Sequence, residues 1–175
     1  MKSVICETNV IAVANECATQ AGPDCVTACI DALEEARRKN RVAIDAGMFF
    51  FEEYFRHARR SGQPGAGDAF VKWLWDNQAN VKRCERVTIT PLPDEPDCFT
   101  EFPDDPALRC FDRNDRKFVA VATASKHKPK ILNASDTDWW HYREALQANG
   151  VKINFLCPEL MSGKRGCRDT KRASR

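Results

Sequence analysis

The amino-acid sequence predicts an α/β fold, a three-layer α/β/α sandwich with a short-stranded, mostly parallel central sheet. Short, continuously apolar runs alternate with longer stretches of helical periodicity along most of the chain. Continuous apolar runs are typical of strands that are buried on both faces, as in parallel sheets covered by helices. Acidic residues follow several of these runs, and ligands of parallel sheets bind at the carboxyl ends of the strands.

The first part of the chain supplies two strands and three helices. Residues 3–6 form an apolar run that predicts a buried strand, and a helix over 10–14 follows after a polar interruption. A helix over 23–39 is predicted because a proline stands at its start and apolar residues recur at helical spacing. Strand 42–45 comes next. The aromatic helix 48–60 has apolar residues on most sides, which indicates burial in the body.

The remaining elements surround an irregular insertion. They are, in chain order, helix 68–79, strand 86–90, helix 114–124, strand 130–133, helix 138–149 and strand 151–156. Segment 91–106 has five prolines and six acids, so we predict no regular structure there and expect Phe99 and Phe102 to anchor it. Gly150 is a typical C′ residue and ends the helix before the last strand.

The near-neutral net charge hides a basic C-terminus. The 175 residues carry a net charge of +2, but residues 162–175 hold six bases and one acid, so the preceding body is acidic. We predict one domain over 1–158, with an insertion at about 62–110, followed by a basic, flexible tail over 159–175. Such a tail would add electrostatic affinity for nucleic acid.

The composition predicts a cytoplasmic protein that does not enter a membrane. No apolar run approaches the roughly 20 residues that cross a bilayer, and Glu7 interrupts the first apolar run, so we expect no secretory leader. The nine cysteines are an odd number, which without a leader predicts reduced thiols. Cys25 and Cys29 are spaced like half of a zinc site, but no second suitable pair follows, so small buried hydrophobic residues are the preferred interpretation.

Acidic residues gather where the predicted strands and helices meet. Those after strands are Glu7, Asp45 and Asp136, those opening the helix over 114–124 are Asp112 and Asp115, and those in the aromatic helix are Glu52 and Glu53. Two carboxylates 4 Å apart repel by about 4 kcal/mol at an effective dielectric constant of 20. A cluster of this kind therefore needs protons or a divalent cation, and oxygen ligands favour Mg²⁺ or Mn²⁺. Each acid alone is also typical of a helix cap or a turn.

Four segments together resemble the PIN-domain nucleases. The segments are VICETNVIAVAN at 4–15, FFFEEYF at 49–55, FDRNDRKFVAVA at 111–122 and ILNASDTDWW at 131–140. The family carries an acid after its first strand in a D-T-N-like motif and a second acid in an early helix. A third acid starts a later helix, and a fourth follows the next strand. Each segment alone is weakly specific, whereas their order and spacing cover the body from Val4 to Leu156.

The resemblance implies a set of catalytic carboxylates and supporting residues. The four catalytic acids would be Glu7, Glu53, Asp115 and Asp136, and a metal would be held by Glu7, Asp115 and Asp136. The supporting residues would be Thr8, Asn9, Asp112, Asp138 and Glu52. Helical periodicity does not separate Glu52 from Glu53. Asp112 is either the alternative to Asp115 or a helix cap, and Asp138 is either a further ligand or the N-cap of the following helix.

The implied activity is metal-assisted hydrolysis of phosphodiester bonds with Mg²⁺ or Mn²⁺ as cofactor. The implied substrate is single-stranded nucleic acid, RNA before DNA, and the implied role is that of a toxin-like, defence or RNA-processing enzyme. The phosphate backbone would be bound by Arg56, Arg59, Arg60, Lys164 and Arg165. Trp139 and Trp140 cannot both face the core and are candidates for base stacking. A protein inhibitor or other partner from the same system, and a homodimer, stay open.

A rival hypothesis follows from the first acid. Glu7 stands where the family usually has aspartate, and its extra methylene moves the carboxylate by roughly 1.5 Å, whereas Mg²⁺ needs near-ideal octahedral geometry. The alternative is therefore a PIN-fold binding module with weakened catalysis. A haloacid-dehalogenase-type phosphatase would need D-x-D after the first strand, which ETN does not supply. The GQPGAGD sequence at 62–68 lacks the G-K-[ST] ending of a phosphate-binding loop and predicts a connector.

Overall fold

A computed structural model of the protein describes residues 2–58 and 63–161. The described strands are β1 Ser3–Cys6, β2 Arg41–Asp45, β3 Cys84–Val87, β4 Lys130–Asn133 and β5 Lys152–Phe155. The described α-helices are α1 Thr8–Ala14, α2 Pro23–Lys39, α3 Phe49–His57, α4 Ala66–Asn77, α5 Arg116–Ala124 and α6 Thr137–Ala148. Short 3-10 helices cover Pro106–Leu108, Arg113–Asp115 and Pro158–Met161.

The five described strands are all parallel and lie in the order β3-β2-β1-β4-β5. From β1 the chain builds outward through β2 to β3, and then crosses back to add β4 and β5 on the other side. Because crossovers between parallel strands are right-handed, this reversal places helices on both faces of the sheet. Helices α1, α2 and α4 pack against one another, while α5 packs on β2 and β4. The predicted α/β fold with a helix-covered, mostly parallel sheet is confirmed.

The hydrophobic core surrounds the three central strands. Ile5, Ile44 and Ile131, one from each of these strands, are at most 1% exposed. Helix α3 is buried as its aromatic sequence predicts, and its Phe50 ring lies 4.5 Å from the Phe118 ring of α5, measured between centroids. This packing holds α3 against the sheet and α5, which determines where the acids of that helix lie.

Most element boundaries differ from the sequence prediction by one or two residues, and two of the differences have a clear physical reason. Strand β3 begins two residues before the predicted strand 86–90, because it pairs with β2 along the length of that strand. At the C-terminal end, Met161 is buried in the 3-10 helix Pro158–Met161, so regular structure continues into the segment predicted as tail. The rest of that segment, 162–175, lies outside the described residues.

The last residues of the predicted connector 62–68 form the first turn of α4, which docks on α1. A Cβ atom on Gly67 would lie 2.4 Å from the carbonyl oxygen of Ile11, so the backbone approach requires glycine. Beside it, the Asn15 amide donates to Asp68 Oδ1 at 2.8 Å, and the Asp68 backbone amide donates to Asn15 Oδ1 at 3.0 Å. The described part of the connector, from 63 onward, thus has a packing role.

Asp45, the acid that ends β2, caps the following helix. The residue is 2% exposed, and its two carboxylate oxygens accept hydrogen bonds from the backbone amides of Phe49 at 2.9 Å and Phe50 at 2.8 Å. Amides in the first turn of a helix lack intrahelical acceptors, and a carboxylate satisfies them. Asp45 therefore fixes the start of α3.

Replacing Asp45 with alanine should lower the free energy of unfolding by about 2 kcal/mol, because two buried amides lose a charged acceptor. Urea denaturation followed by circular dichroism measures the change. The matched control is Asp24→Ala, since Asp24 lies exposed in the first turn of α2. A loss no larger than that of the control would contradict the capping role.

A disulfide joins Cys25 of α2 to Cys157, which follows β5. Both residues are buried, and the Cys29 sulfur lies within 4.8 Å of their sulfurs. The prediction of reduced thiols is therefore wrong for this pair, because 132 positions separate the partners and only the fold brings α2 against the end of β5. Burial raises the pKa of the Cys29 thiol to about 12, which suppresses the thiolate that disulfide exchange requires.

Replacing Cys157 with serine should destabilise the oxidised protein by up to about 5 kcal/mol, the chain-entropy value for a loop of this length. Guanidinium denaturation of both proteins, with and without dithiothreitol, measures the difference. In reductant the two proteins should become nearly equal in stability. A difference of unchanged size in reductant would show that packing of the Cys157 side chain, and not the covalent link, is responsible.

Candidate functional site

The candidate site lies where the sheet reverses direction, at the carboxyl ends of β1 and β4. Glu7 directly follows β1, and Asp136 comes three residues after β4. Glu53 reaches the same place from the middle of α3, and Asp115 from the turn before α5. In open parallel sheets this reversal point forms a crevice between the two strand ends, which is the usual ligand position.

Three of the four predicted acids converge closely. One carboxylate oxygen each from Glu7, Glu53 and Asp115 lies within 4.8 Å of the other two. Glu7 is 3% and Asp115 9% exposed, so the cluster lies largely out of water. Asp136 stands beside this trio, close enough for its charge to raise the pKa of both Glu7 and Asp115.

Glu7 is held by the helix that it precedes. Its Oε2 accepts a hydrogen bond from the backbone amide of Asn9 at 2.9 Å and caps α1. The additional methylene of glutamate is thus accommodated by turning the carboxylate back toward α1, and the group still lies with Glu53 and Asp115.

Thr8 and Asn9 connect the elements that meet at the site. The Thr8 hydroxyl donates to Glu53 Oε1 at 2.7 Å, which ties α3 to the end of β1. Asn9 Oδ1 accepts from the backbone amide of Ala134 at 2.8 Å, which ties β1 to the end of β4. Two buried amide nitrogens, Nδ2 of Asn9 and of Asn133, have no hydrogen-bond partner among the described residues. Buried donors of this kind call for a bound water or ligand oxygen.

Trp139 orients Asp115, a role that the sequence analysis missed. Its indole Nε1 donates to Asp115 Oδ2 at 2.9 Å, while the ring is fully buried and packs edge-on against Phe111, with centroids 5.1 Å apart. The adjacent Trp140 is partly exposed and packs on Phe155. The signal was present in the sequence, because only one of two adjacent helical tryptophans can face the core.

The remaining predicted acids form caps around the site. Asp136 is the N-cap of α6, since its Oδ1 accepts from the backbone amide of Asp138 at 2.8 Å. Asp112 caps the 3-10 turn through the amide of Asn114 at 2.9 Å. Asp138 Oδ2 in turn accepts from the backbone amide of Asp112 at 3.1 Å. Of the two predicted roles for Asp138, the N-cap belongs to Asp136 instead.

Lys117 is the second residue that the sequence analysis missed. Its ammonium forms an ion pair with Glu53 Oε2 and donates to the backbone carbonyl of Asn114. The lysine side chain is only 9% exposed, and lysine is rarely buried to this degree unless it is paired. A sequence signal existed, because Lys117 directly precedes the apolar run 118–122 in the first turn of a buried helix.

Glu52, the alternative to Glu53, is exposed and lies at a polar cavity of about 370 Å³ beside the cluster. Arg56 and Lys117 also line this cavity, so Arg56 stands at the edge of the site. The other residues predicted to bind nucleic acid lie outside the described residues: Arg59, Arg60, Lys164 and Arg165.

Burial and mutual repulsion make the cluster hold protons tightly. Burial raises the pKa of Glu7 well above its usual range, and neighbouring carboxylates, Asp115 first, raise it further. Burial also raises the pKa of Asp115 to about 7, helped by the charge of Asp136. For Asp136 itself, burial raises the pKa against the opposing hydrogen bonds from backbone amides of α6. Near neutral pH such a cluster favours either a proton or a cation.

The donor set fits a hard divalent cation. All the converging groups are carboxylates, the ligands that Mg²⁺ and Mn²⁺ prefer. On an octahedral ion with bonds of about 2.1 Å, ligand oxygens lie about 3 Å apart when adjacent and about 4.2 Å apart when opposite. The trio, bounded by 4.8 Å, needs only small side-chain movements to reach these separations. Glu7 Oε1 and Asp115 Oδ1 accept no hydrogen bond from any described residue.

Comparisons of the chain with protein-family models, with curated proteins and with solved structures find no match. Among residues 2–58 and 63–161, no helix combines the length and apolar character that crossing a bilayer requires.

The raised pKa of Asp115 predicts a pH-dependent stability. A folded-state pKa of about 7 means that the folded protein holds this proton more tightly than the unfolded chain, whose value is 3.8. Stability should therefore fall as the pH rises from about 4 through 7, with a loss of about 2–3 kcal/mol between pH 5 and pH 8. Urea denaturation in EDTA measures it. Asp115→Asn should be more stable than wild type at pH 8 and show a smaller loss; an equal loss would contradict the assignment.

Proposed function

We propose that the protein is a metal-dependent nuclease of the PIN type that hydrolyses phosphodiester bonds of single-stranded RNA. The observation that carries the proposal is the convergence of Glu7, Glu53 and Asp115, with Asp136 beside them, at the reversal point of a parallel sheet. These are the four acids that the resemblance to PIN-domain nucleases picks out.

The residues of the site have different roles according to their positions. Glu7 and Asp115 each have one oxygen fixed by a donor and one oxygen without a partner among residues 2–58 and 63–161, which suits them to hold a cation. A divalent ion bound there supplies Lewis-acid activation of water and neutralises charge on the phosphate. Arg56 and Lys117 line the adjacent cavity together with the acids Glu52, Glu53 and Asp97, so a phosphate that enters there would meet bases as well as carboxylates.

The depth of the site favours a single strand. Because Glu7 is only 3% exposed, a phosphate must enter the crevice to come near it. A flexible single strand can bend its backbone into such a crevice, whereas a duplex presents its phosphates on a stiff surface. The preference for RNA and the role as a toxin-like, defence or RNA-processing enzyme in the cytoplasm follow from the resemblance, as do a protein inhibitor and a homodimer.

Asp115→Asn and Asp136→Asn should each reduce cleavage at least 100-fold, because each removes a charge from the cation site. Asparagine keeps an acceptor oxygen, so the contacts with Trp139 and the α6 amide are conserved. The assay uses end-labelled single-stranded RNA and DNA of the same sequence, with Mn²⁺ or with EDTA. Asp76→Asn is the control, since Asp76 lies in an exposed ion pair on α4.

Three outcomes discriminate between the hypotheses. Cleavage that needs Mn²⁺ and is lost in both variants supports the nuclease. Cleavage that persists in both variants shows that the site is elsewhere. RNA binding without cleavage, together with activity gained on Glu7→Asp, would instead favour the binding module with weakened catalysis.

A further inference from the structure

We propose that Lys117 is a built-in cation that balances Glu53 of the acidic site, so that the protein takes a single divalent ion at Glu7 and Asp115. This inference rests on the proposed function for the identity of the site. It specifies how many divalent ions the site holds and which acid does not bind them.

The first observation is the saturation of Glu53. Its Oε1 accepts from the Thr8 hydroxyl at 2.7 Å, and its Oε2 pairs with the Lys117 ammonium. Both oxygens of this carboxylate are therefore engaged by the protein. The two side chains are 17% and 9% exposed, so water competes little with the pair.

The second observation is the contrast with the other acids of the trio. Glu7 and Asp115 have one oxygen each engaged, by the Asn9 amide and the Trp139 indole, both neutral donors. Neither forms an ion pair with a described residue. A positive charge is thus already present at Glu53, whereas Glu7 and Asp115 have none among the described residues, and one divalent ion would take that place.

The third observation is the setting of Lys117. The ammonium is anchored by the carbonyl of Asn114 and lies 5.1 Å from the centroid of the Phe118 ring, a cation–π contact. The residue also lines the polar cavity beside the cluster. A fixed positive charge therefore stands beside Glu53 on the side of the cluster that faces the cavity.

The test is the number of Mn²⁺ ions bound per chain, measured by isothermal titration calorimetry and by loss of the free-Mn²⁺ electron paramagnetic resonance signal. Wild type should bind one ion. Lys117→Met should bind a second ion, because Glu53 loses its partner. The affinity of this second ion should be at least 10-fold higher than that of any weak second binding detected on wild type. Lys117→Arg, which keeps the charge, should bind one. Lys72→Met is the control, since Lys72 forms an exposed ion pair on α4.

A double variant keeps the test decisive if Lys117→Met does not fold. Glu53→Gln combined with Lys117→Met removes both charges of the pair, and it should still bind one Mn²⁺ within about threefold of wild-type affinity. Two ions on wild type, or none on the double variant, would overturn the inference. Two ions with RNA cleavage would overturn it while leaving the nuclease intact, whereas one ion without cleavage supports it and refutes the nuclease.

Discussion

The structure of the site depends on one constraint, the repulsion between carboxylates that are buried together. Glu7 and Asp115 are almost fully buried. One carboxylate oxygen from each of Glu7, Glu53 and Asp115 lies within 4.8 Å of the other two. At such separations like charges cost several kcal/mol unless something compensates them. Each acid accordingly has a donor aimed at it, from a backbone amide, a hydroxyl, an indole or an ammonium. The donors come from different elements, so their packing and the cluster depend on each other.

The same carboxylates also begin the helices. Glu7 follows β1 and caps α1, and Asp136 lies three residues after β4 and caps α6. Asp45 performs this capping at the end of β2 but is withdrawn from the site, because both of its oxygens bind the amides of α3. Acids that follow strands thus serve as helix caps. At the point where the sheet reverses direction, two of these caps, Glu7 and Asp136, also lie close to each other.

Much of the fold follows from local patterns in the sequence. Helix 23–39 and strand 130–133 are found at their predicted bounds. For the helix the signals are local, a proline at its start and apolar residues at helical spacing. Strand β3 begins two residues before its predicted start, because its pairing with β2 determines which residues are extended. The Cys25–Cys157 link joins positions 132 residues apart, which no local pattern encodes.

Within the candidate site, the acids were accessible to sequence reasoning, whereas the pairing of each acid with its hydrogen-bond or ion-pair partner was not. Glu53 and Glu52 occupy neighbouring positions of an aromatic helix, and only the packing of α3 shows that Glu53 faces the cluster. Trp139 was recognised as a core or stacking residue, but its hydrogen bond to Asp115 depends on the approach of α6 to the start of α5. Polar contacts between elements that are distant in the sequence cannot be predicted from hydrophobic periodicity, which reports only local structure.

Lys117 helps to explain how carboxylates can be buried together in a stable fold. An ion pair between buried groups contributes little net stability, yet removing one partner leaves the other charge uncompensated. The lysine thus balances the charge of Glu53, while burial raises the pKa of Glu7 and of Asp115 and favours their protonated forms. Three or four uncompensated acids would destabilise the fold, whereas the pairing of Glu53 with Lys117 removes one of these charges from the repulsion. Glutamate at position 7 fits this arrangement, since its longer side chain reaches the Asn9 amide and the cluster at once.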